Sequence, residues 1–288
     1  MINPFAPTRP GSFTADGVRV RRRTRPHRAH STGPSGLCTP RFCTTRAGGI
    51  LHVVHDIAPD ELSDGLTALL TEELDDTGVL RGQPEFELVF TGIVRTTVNG
   101  SMAAWLKFYR NSLAELEQGV AAFSPIHAHA LDLVTGPRLV DLGSCFGFFP
   151  LRAAAHGIET VATDLSGPAV ELLARMSGPL GRPLQTLCCD ARQVPLASGG
   201  ADTVTALHLL EHLPAAAADA VIAEALRLAR HRVVIAVPFE EVPRACYGHV
   251  QRFDLAALNL LASRLRTEHT GLSVRVSEHH GGWLVLDR

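Results

Sequence analysis

Lysine is nearly missing from this chain. Lys107 stands alone against 26 arginines in 288 residues, a ratio that reads as a base-composition signature. No apolar run approaches the ~20 residues a membrane span requires. The alanine-rich stretch 214–229 is interrupted by Asp219 and Glu224. The six cysteines, at 38, 43, 145, 188, 189 and 246, contain no CxxC pair, which excludes a thiolate zinc site of the usual spacing. Adjacent Cys188 and Cys189 read as reduced core residues, as in a cytoplasmic chain. No apolar segment follows Arg21, Arg22 and Arg23, which excludes a secretory leader there. No Gly-Lys-Ser/Thr triplet is present, which excludes a Walker phosphate loop.

What is present supports a sizeable core, with 45% hydrophobic and 19% charged residues. The net charge of -2 hides an asymmetry. Residues 1–48 hold nine arginines and one acid, Asp16, for a net charge near +8. The remainder holds 18 basic and 28 acidic residues, near -10. An acidic body excludes a broad nucleic-acid surface, because counterion release needs clustered cations.

Three regions follow. Residues 1–48 are basic, polar and rich in breakers, and are expected to be a disordered, dispensable tail. Residues 49–135 carry helical spacing over 59–76, 84–96, 101–118 and 127–133, and are expected to form a helical cap over the strand ends. The VV pattern around His52 and His55 is the exception and suggests a strand. Residues 136–288 alternate short β-rich and helical runs. That order predicts a doubly wound, mostly parallel seven-stranded sheet with helices on both faces. A hairpin at Gly281–Gly282 closes one edge.

The strongest chemical signal is Asp141-Leu142-Gly143-Ser144-Cys145-Phe146-Gly147, leaving the first parallel strand. The glycine spacing is GxxxG, not the dinucleotide GxGxxG, and Asp141 would repel a pyrophosphate. A carboxylate there suits an ammonium group, held directly or through water. Asp164, at the end of strand two, is placed to accept both hydroxyls of a ribose. Asp190, after strand three, borders an adenine edge with Ala191. One ligand satisfies all three acids, S-adenosylmethionine. Leu165 beside Asp164, and His208 at the end of strand four, complete the expected cofactor-binding set.

The stretches LVDLGSCFG, VATDLS, CCDARQVPL and ADTVTALHLLEHLP resemble class I S-adenosylmethionine-dependent methyltransferases, with a Rossmann-like fold, over about 135–288. Cys145 departs from the commoner second glycine. A closer resemblance covers about 48–288. GGILHVVHDIAPDELSDGLTALLTEEL, AAWLKFYRNSL, FSPIHA, YGHVQRFDLAAL and EHHGGWLVLD look like the mycofactocin oligosaccharide methyltransferase family. That resemblance implies O-methylation of a glucose hydroxyl on the short glucan chain of a peptide-derived redox cofactor. It also raises His127 as an acceptor contact.

A sugar hydroxyl must lose its proton as the bond to methyl forms. His249, in the loop after strand five, is the first choice for the base. His212, at the strand-four turn beside Glu211, is the second. Asp254 reads as an N-cap. Trp283 would either stack on a sugar or fill the core. No metal is expected. Magnesium prefers oxygen ligands, for which only Glu240, Glu241 and Glu278 offer themselves. The rival readings are a nicotinamide oxidoreductase, a methyltransferase for a carboxylate, amine or other alcohol, and a non-catalytic cofactor-binding partner.

Overall fold

The computed structural model describes residues 4–5, 11–23 and 36–288. Two compact units divide the chain, Met1–Ala122 and Phe123–Arg288.

The amino-terminal unit is built on a sheet, which overturns the expected helical cap. Its strands are β1 (Ser12–Ala15), β2 (Val18–Arg22), β3 (Gly36–Cys38), β4 (Phe42–Ala47) and β5 (Ile50–His55), in the order β1-β2-β5-β4-β3. The β2–β5 pair is parallel, and the others are antiparallel. Alternation explains the arrangement. Val18, Val20, Phe42, Leu51 and Val53 are buried, while Arg19, Arg21, His52 and Val54 take the alternate positions. The apolar half of this period is short, and arginines fill the other half. The segment therefore reads as a solvated basic run until its strands are paired. Four strands fall inside the expected tail, and the rest of that tail, 1–3, 6–10 and 24–35, lies outside the described residues. A shallow cavity of about 410 Å³ opens on the arginine-bearing face, lined by Arg19, Arg21, Thr45 and His52 among others.

The helices of this unit follow the predicted spacing over 84–96 and 101–118, whereas the expected helix over 59–76 begins only at Leu66. α1 (Leu66–Leu70) continues into a π-helical turn at Thr71–Asp75. α2 (Gly82–Thr97) packs on β1 and β2. α3 (Ser101–Gln118) ends at Gly119 in the left-handed conformation. Cys38 and Cys43, directly opposed across β3 and β4, form a disulfide, so the cysteines are not uniformly reduced thiols. Among the described residues no helix is long and apolar enough to cross a membrane.

The carboxy-terminal unit begins with α4 (Ser124–Leu133). Its seven-stranded sheet has the expected form. β6 (Arg138–Leu142), β7 (Glu159–Asp164), β8 (Gln185–Cys188), β9 (Ala201–Leu207) and β10 (Ala229–Val237) are mutually parallel, with β11 (Ser273–Glu278) and β12 (Gly282–Asp287) antiparallel at one edge. The order is β11-β12-β10-β9-β6-β7-β8. The connecting helices are α5 (Phe148–Ala155), α6 (Gly167–Ser177), α7 (Ala215–Leu228) and α8 (Leu255–Glu268). Residues of α7 and α8 share one core cluster with Val140, Leu142 and Val204. Residues of α4 and α5 share another with Leu139, Val234 and Trp283. Neighbouring residues of one strand therefore face different cores, so both faces are covered. Trp283 is core, with Nε1 donating to the His279 carbonyl. Asp254 caps α8 by accepting from the Ala257 N–H at 2.8 Å.

Candidate functional site

The carboxyl ends of the parallel strands, where an open α/β sheet takes its ligands, carry two clusters.

The first is the loop after β6. Gly143 and Gly147 both have positive φ, 70° and 73°. A Cβ on Gly143 would sit 2.6 Å from Leu209, and one on Gly147 would sit 2.4 Å from Leu173. Both positions therefore need the missing side chain. Cys145, where glycine is commoner in the families this loop resembles, also has positive φ, 50°. The loop is tied to the neighbouring strand by two bonds. Ser144 N–H donates to the Thr163 carbonyl at 2.8 Å, and Cys145 N–H donates to Asp164 Oδ2 at 2.8 Å.

Asp141 lies beneath this loop, buried. Thr205 Oγ1 donates to its Oδ1 at 2.6 Å and Ser144 Oγ to its Oδ2 at 2.7 Å. Burial pushes its carboxyl up to about 6, against the pull of those two hydrogen bonds. Asp164 is half-buried at the rim, with Oδ1 accepting from Ser166 N–H at 2.8 Å. Each of its oxygens keeps a lone pair, as a vicinal diol requires. Leu165 follows with 67% of its surface exposed. Cys189 N–H donates to the Asp164 carbonyl at 3.0 Å, which brings Asp190 and Ala191 to the same rim. The Arg192 side chain beside Asp190 holds that carboxyl below its ordinary range. Cys188 is exposed, and only the half-buried Cys189 packs against the core, so the pair is not uniformly core.

The second cluster joins the turn after β9 to the loop after β10. His208 has positive φ, 54°, and its ring stands edge-on to Phe123 at 5.0 Å. Glu211 is fully buried, and neither carboxylate oxygen accepts a hydrogen bond. His208 Nδ1 lies 3.1 Å from Glu211 Oε1. The backbone N–H groups of Val250 and Gln251 donate to the Glu211 carbonyl at 2.8 and 3.0 Å, docking the distal loop on this turn. His249 Nδ1 lies 2.8 Å from Glu240 Oε2. The His212 and His249 rings stand perpendicular, 4.8 Å apart. The His212 ring is only partly covered, and that partial desolvation is the largest influence on it and lowers its pKa. His127 is buried, with its ring 5.6 Å from Phe149, and burial pushes it down to about 3.

The structure thus brings Asp141, Gly143, Ser144, Gly147, Asp164 and Leu165 to one loop, with Asp190 and Ala191 beside it. His208, His212 and His249 form the other cluster. Sequence spacing missed the Glu240–His249 pair, nine residues apart in a loop without periodicity. It also missed the unsatisfied state of Glu211, which only packing reveals.

One family model spans the stretch from β6 to β10. Residues 140–237 match a family model described as "Methyltransferase domain". No curated protein matches the chain. Among solved structures, the chain is similar to PH0226 from Pyrococcus horikoshii OT3 (13% identity; 57% of this chain and 88% of that one; TM-score 0.48). It is also similar to magnesium protoporphyrin IX methyltransferase from Synechocystis PCC 6803 with bound SAM (18%; 66% and 85%; 0.43). A third likeness is to a SAM dependent methyltransferase from Aquifex aeolicus (15%; 61% and 96%; 0.45). The carboxy-terminal unit carries a methyltransferase domain, and S-adenosylmethionine is its cofactor.

Proposed function

We propose that this enzyme transfers a methyl group from S-adenosylmethionine to a sugar hydroxyl, with a glucose of the mycofactocin oligosaccharide as the acceptor implied by the sequence resemblance. The observation that carries an alcohol acceptor is the Glu240–His249 pair, 2.8 Å apart, at the carboxyl end of β10 and facing His212. A carboxylate acceptor would need no such base.

In this reading Asp164 accepts both ribose hydroxyls while Cys145 N–H fixes its orientation. Asp141 acts through Ser144, whose hydroxyl it holds, because both of its oxygens are engaged. Leu165 covers one side of the nucleoside, and Asp190 with Ala191 borders the base. The cofactor supplies an activated methyl and a good leaving group. The protein aligns the acceptor and removes its proton. Glu240 accepts from His249 Nδ1–H, fixing the tautomer that leaves Nε2 able to take that proton. His208 and Phe123 form an adjoining wall.

The test is calorimetry with S-adenosylmethionine, with NAD as control, followed by transfer of labelled methyl to short glucans. Saturable cofactor binding and labelled glucan are expected. Label on carboxylates or amines alone would sink the sugar assignment, and binding to NAD alone would overturn the cofactor.

A further inference from the structure

Glu211, His212 and His249 each offer a ligand atom, and those three atoms lie within 4.8 Å of one another. We infer that they form a binding site for a divalent transition metal of the zinc type. The carboxylate is the telling member. Glu211 is fully buried, yet neither oxygen accepts a hydrogen bond. A buried carboxylate faced by a single imidazole nitrogen, His208 Nδ1 at 3.1 Å, and accepting no hydrogen bond carries a large desolvation cost, which a dication would offset. The neighbouring groups support the same assignment. Glu240 holds His249 Nδ1, leaving Nε2 as the ligand atom, the carboxylate–histidine–metal arrangement in which an outer acid fixes the ring. His212 is exposed, which gives an ion an entry path.

Two imidazoles and one carboxylate favour zinc over magnesium, which takes oxygen ligands. Three protein ligands leave a fourth position open, the pattern of catalytic rather than structural zinc. The acceptor hydroxyl would take that position. Its proton leaves to solvent as its oxygen lone pair forms the bond to the methyl carbon. The carbon–sulfur pair returns to sulfur. This role rests on the methyl-transfer reading, and takes over there the task given to His249 as a base. The binding itself does not rest on that reading.

The experiment uses the full chain, freed of metal by chelator and titrated with Zn2+, Mg2+ and S-adenosylmethionine in separate calorimetric runs. One zinc per chain is expected, with no response to Mg2+. Glu211→Gln, nearly isosteric, should weaken zinc at least tenfold while cofactor affinity stays within twofold. His212→Asn should do the same. Co2+ added to the wild-type chain should give the visible bands of a four-coordinate site, which requires no variant to fold. Absence of zinc binding, or zinc binding unchanged in both variants, would overturn the site and leave His208 as the group facing Glu211. His249 would then remain the base. Zinc binding without S-adenosylmethionine binding would uphold the site and fail the methyltransferase reading, so the two failures are distinct.

Discussion

Cys145 N–H donates to Asp164 Oδ2 at 2.8 Å, so the loop after β6 and the end of β7 are one hydrogen-bonded unit. Asp164→Ala should therefore act twice, removing the diol acceptor and releasing the loop. Hydrogen bonds to a charged group contribute about 1.5–3 kcal/mol each. Cofactor affinity is expected to fall at least about tenfold by calorimetry, with Asp164→Asn in between. Unchanged affinity would remove Asp164 from the site.

Burial of Asp141 makes a pH-dependent contribution to stability. Its carboxyl is raised from 3.8 to about 6 in the folded chain. A raised carboxyl stabilises the fold fully below the unfolded value, and that contribution is lost as pH rises through the folded one. The window is therefore about pH 4 to 6, worth about 3 kcal/mol at most. Urea unfolding of wild type and Asp141→Asn across that window should show the variant gaining relative stability as pH rises. A flat difference would mean that Asp141 is not buried in its charged form.

Glu240→Gln and His249→Ala test the acceptor side. Both should leave S-adenosylmethionine affinity within about twofold. Turnover with an alcohol acceptor should fall by about 10²–10⁴ for His249→Ala, the usual weight of a proton-transfer group. Glu240→Gln should fall less, because the ring stays in place. Equal losses in cofactor affinity would show that the loop, not the chemistry, had been damaged.

Gly147→Ala forces a side chain into φ 73° and sets its Cβ 2.4 Å from Leu173. Such strain costs about 1–3 kcal/mol. A lower melting temperature and weaker cofactor binding are expected together, and a neutral result would show that the loop can relax.

Deleting residues 1–46, harmless if they were a tail, removes β1, β2, β3 and nearly all of β4. Phe13, Val18, Val20 and Phe42 are all at most 2% exposed. Each fully buried side chain of this size contributes about 1.5–3 kcal/mol. The truncated chain is expected to lose cooperative unfolding of its amino-terminal unit. A soluble chain with an unchanged melting profile would refute that.

The sequence was legible where one kind of residue has one use. Asp141, Asp164 and Asp190 all sit at strand ends, in order and beside the same loop. The helices at 82–97 and 101–118 followed their apolar spacing. The amino-terminal sheet was illegible because β2 spends its outward positions on Arg19 and Arg21, half-buried and exposed, so charge hid the alternation. Its parallel partner β5 comes after β3 and β4, beyond the reach of a local pattern. Only the VV stretch hinted at a strand. Glu211 was visible as a letter beside His212, but its unmet hydrogen-bonding capacity belongs to packing and has no sequence signature.

The pairing of Val18 with Leu51 and Val20 with Val53 has a bearing on how the chain emerges from the ribosome. The β1–β2 hairpin is made early. Its parallel neighbour arrives some thirty residues later, and α2, which packs on both strands, later still. Until then an apolar strand edge is open to other nascent chains, the condition under which partly made proteins associate wrongly. Arg19 and Arg21, set on the other side of that strand, supply like-charge repulsion throughout the wait. The residues that disguise β2 as a tail would thus keep it soluble before its sheet exists.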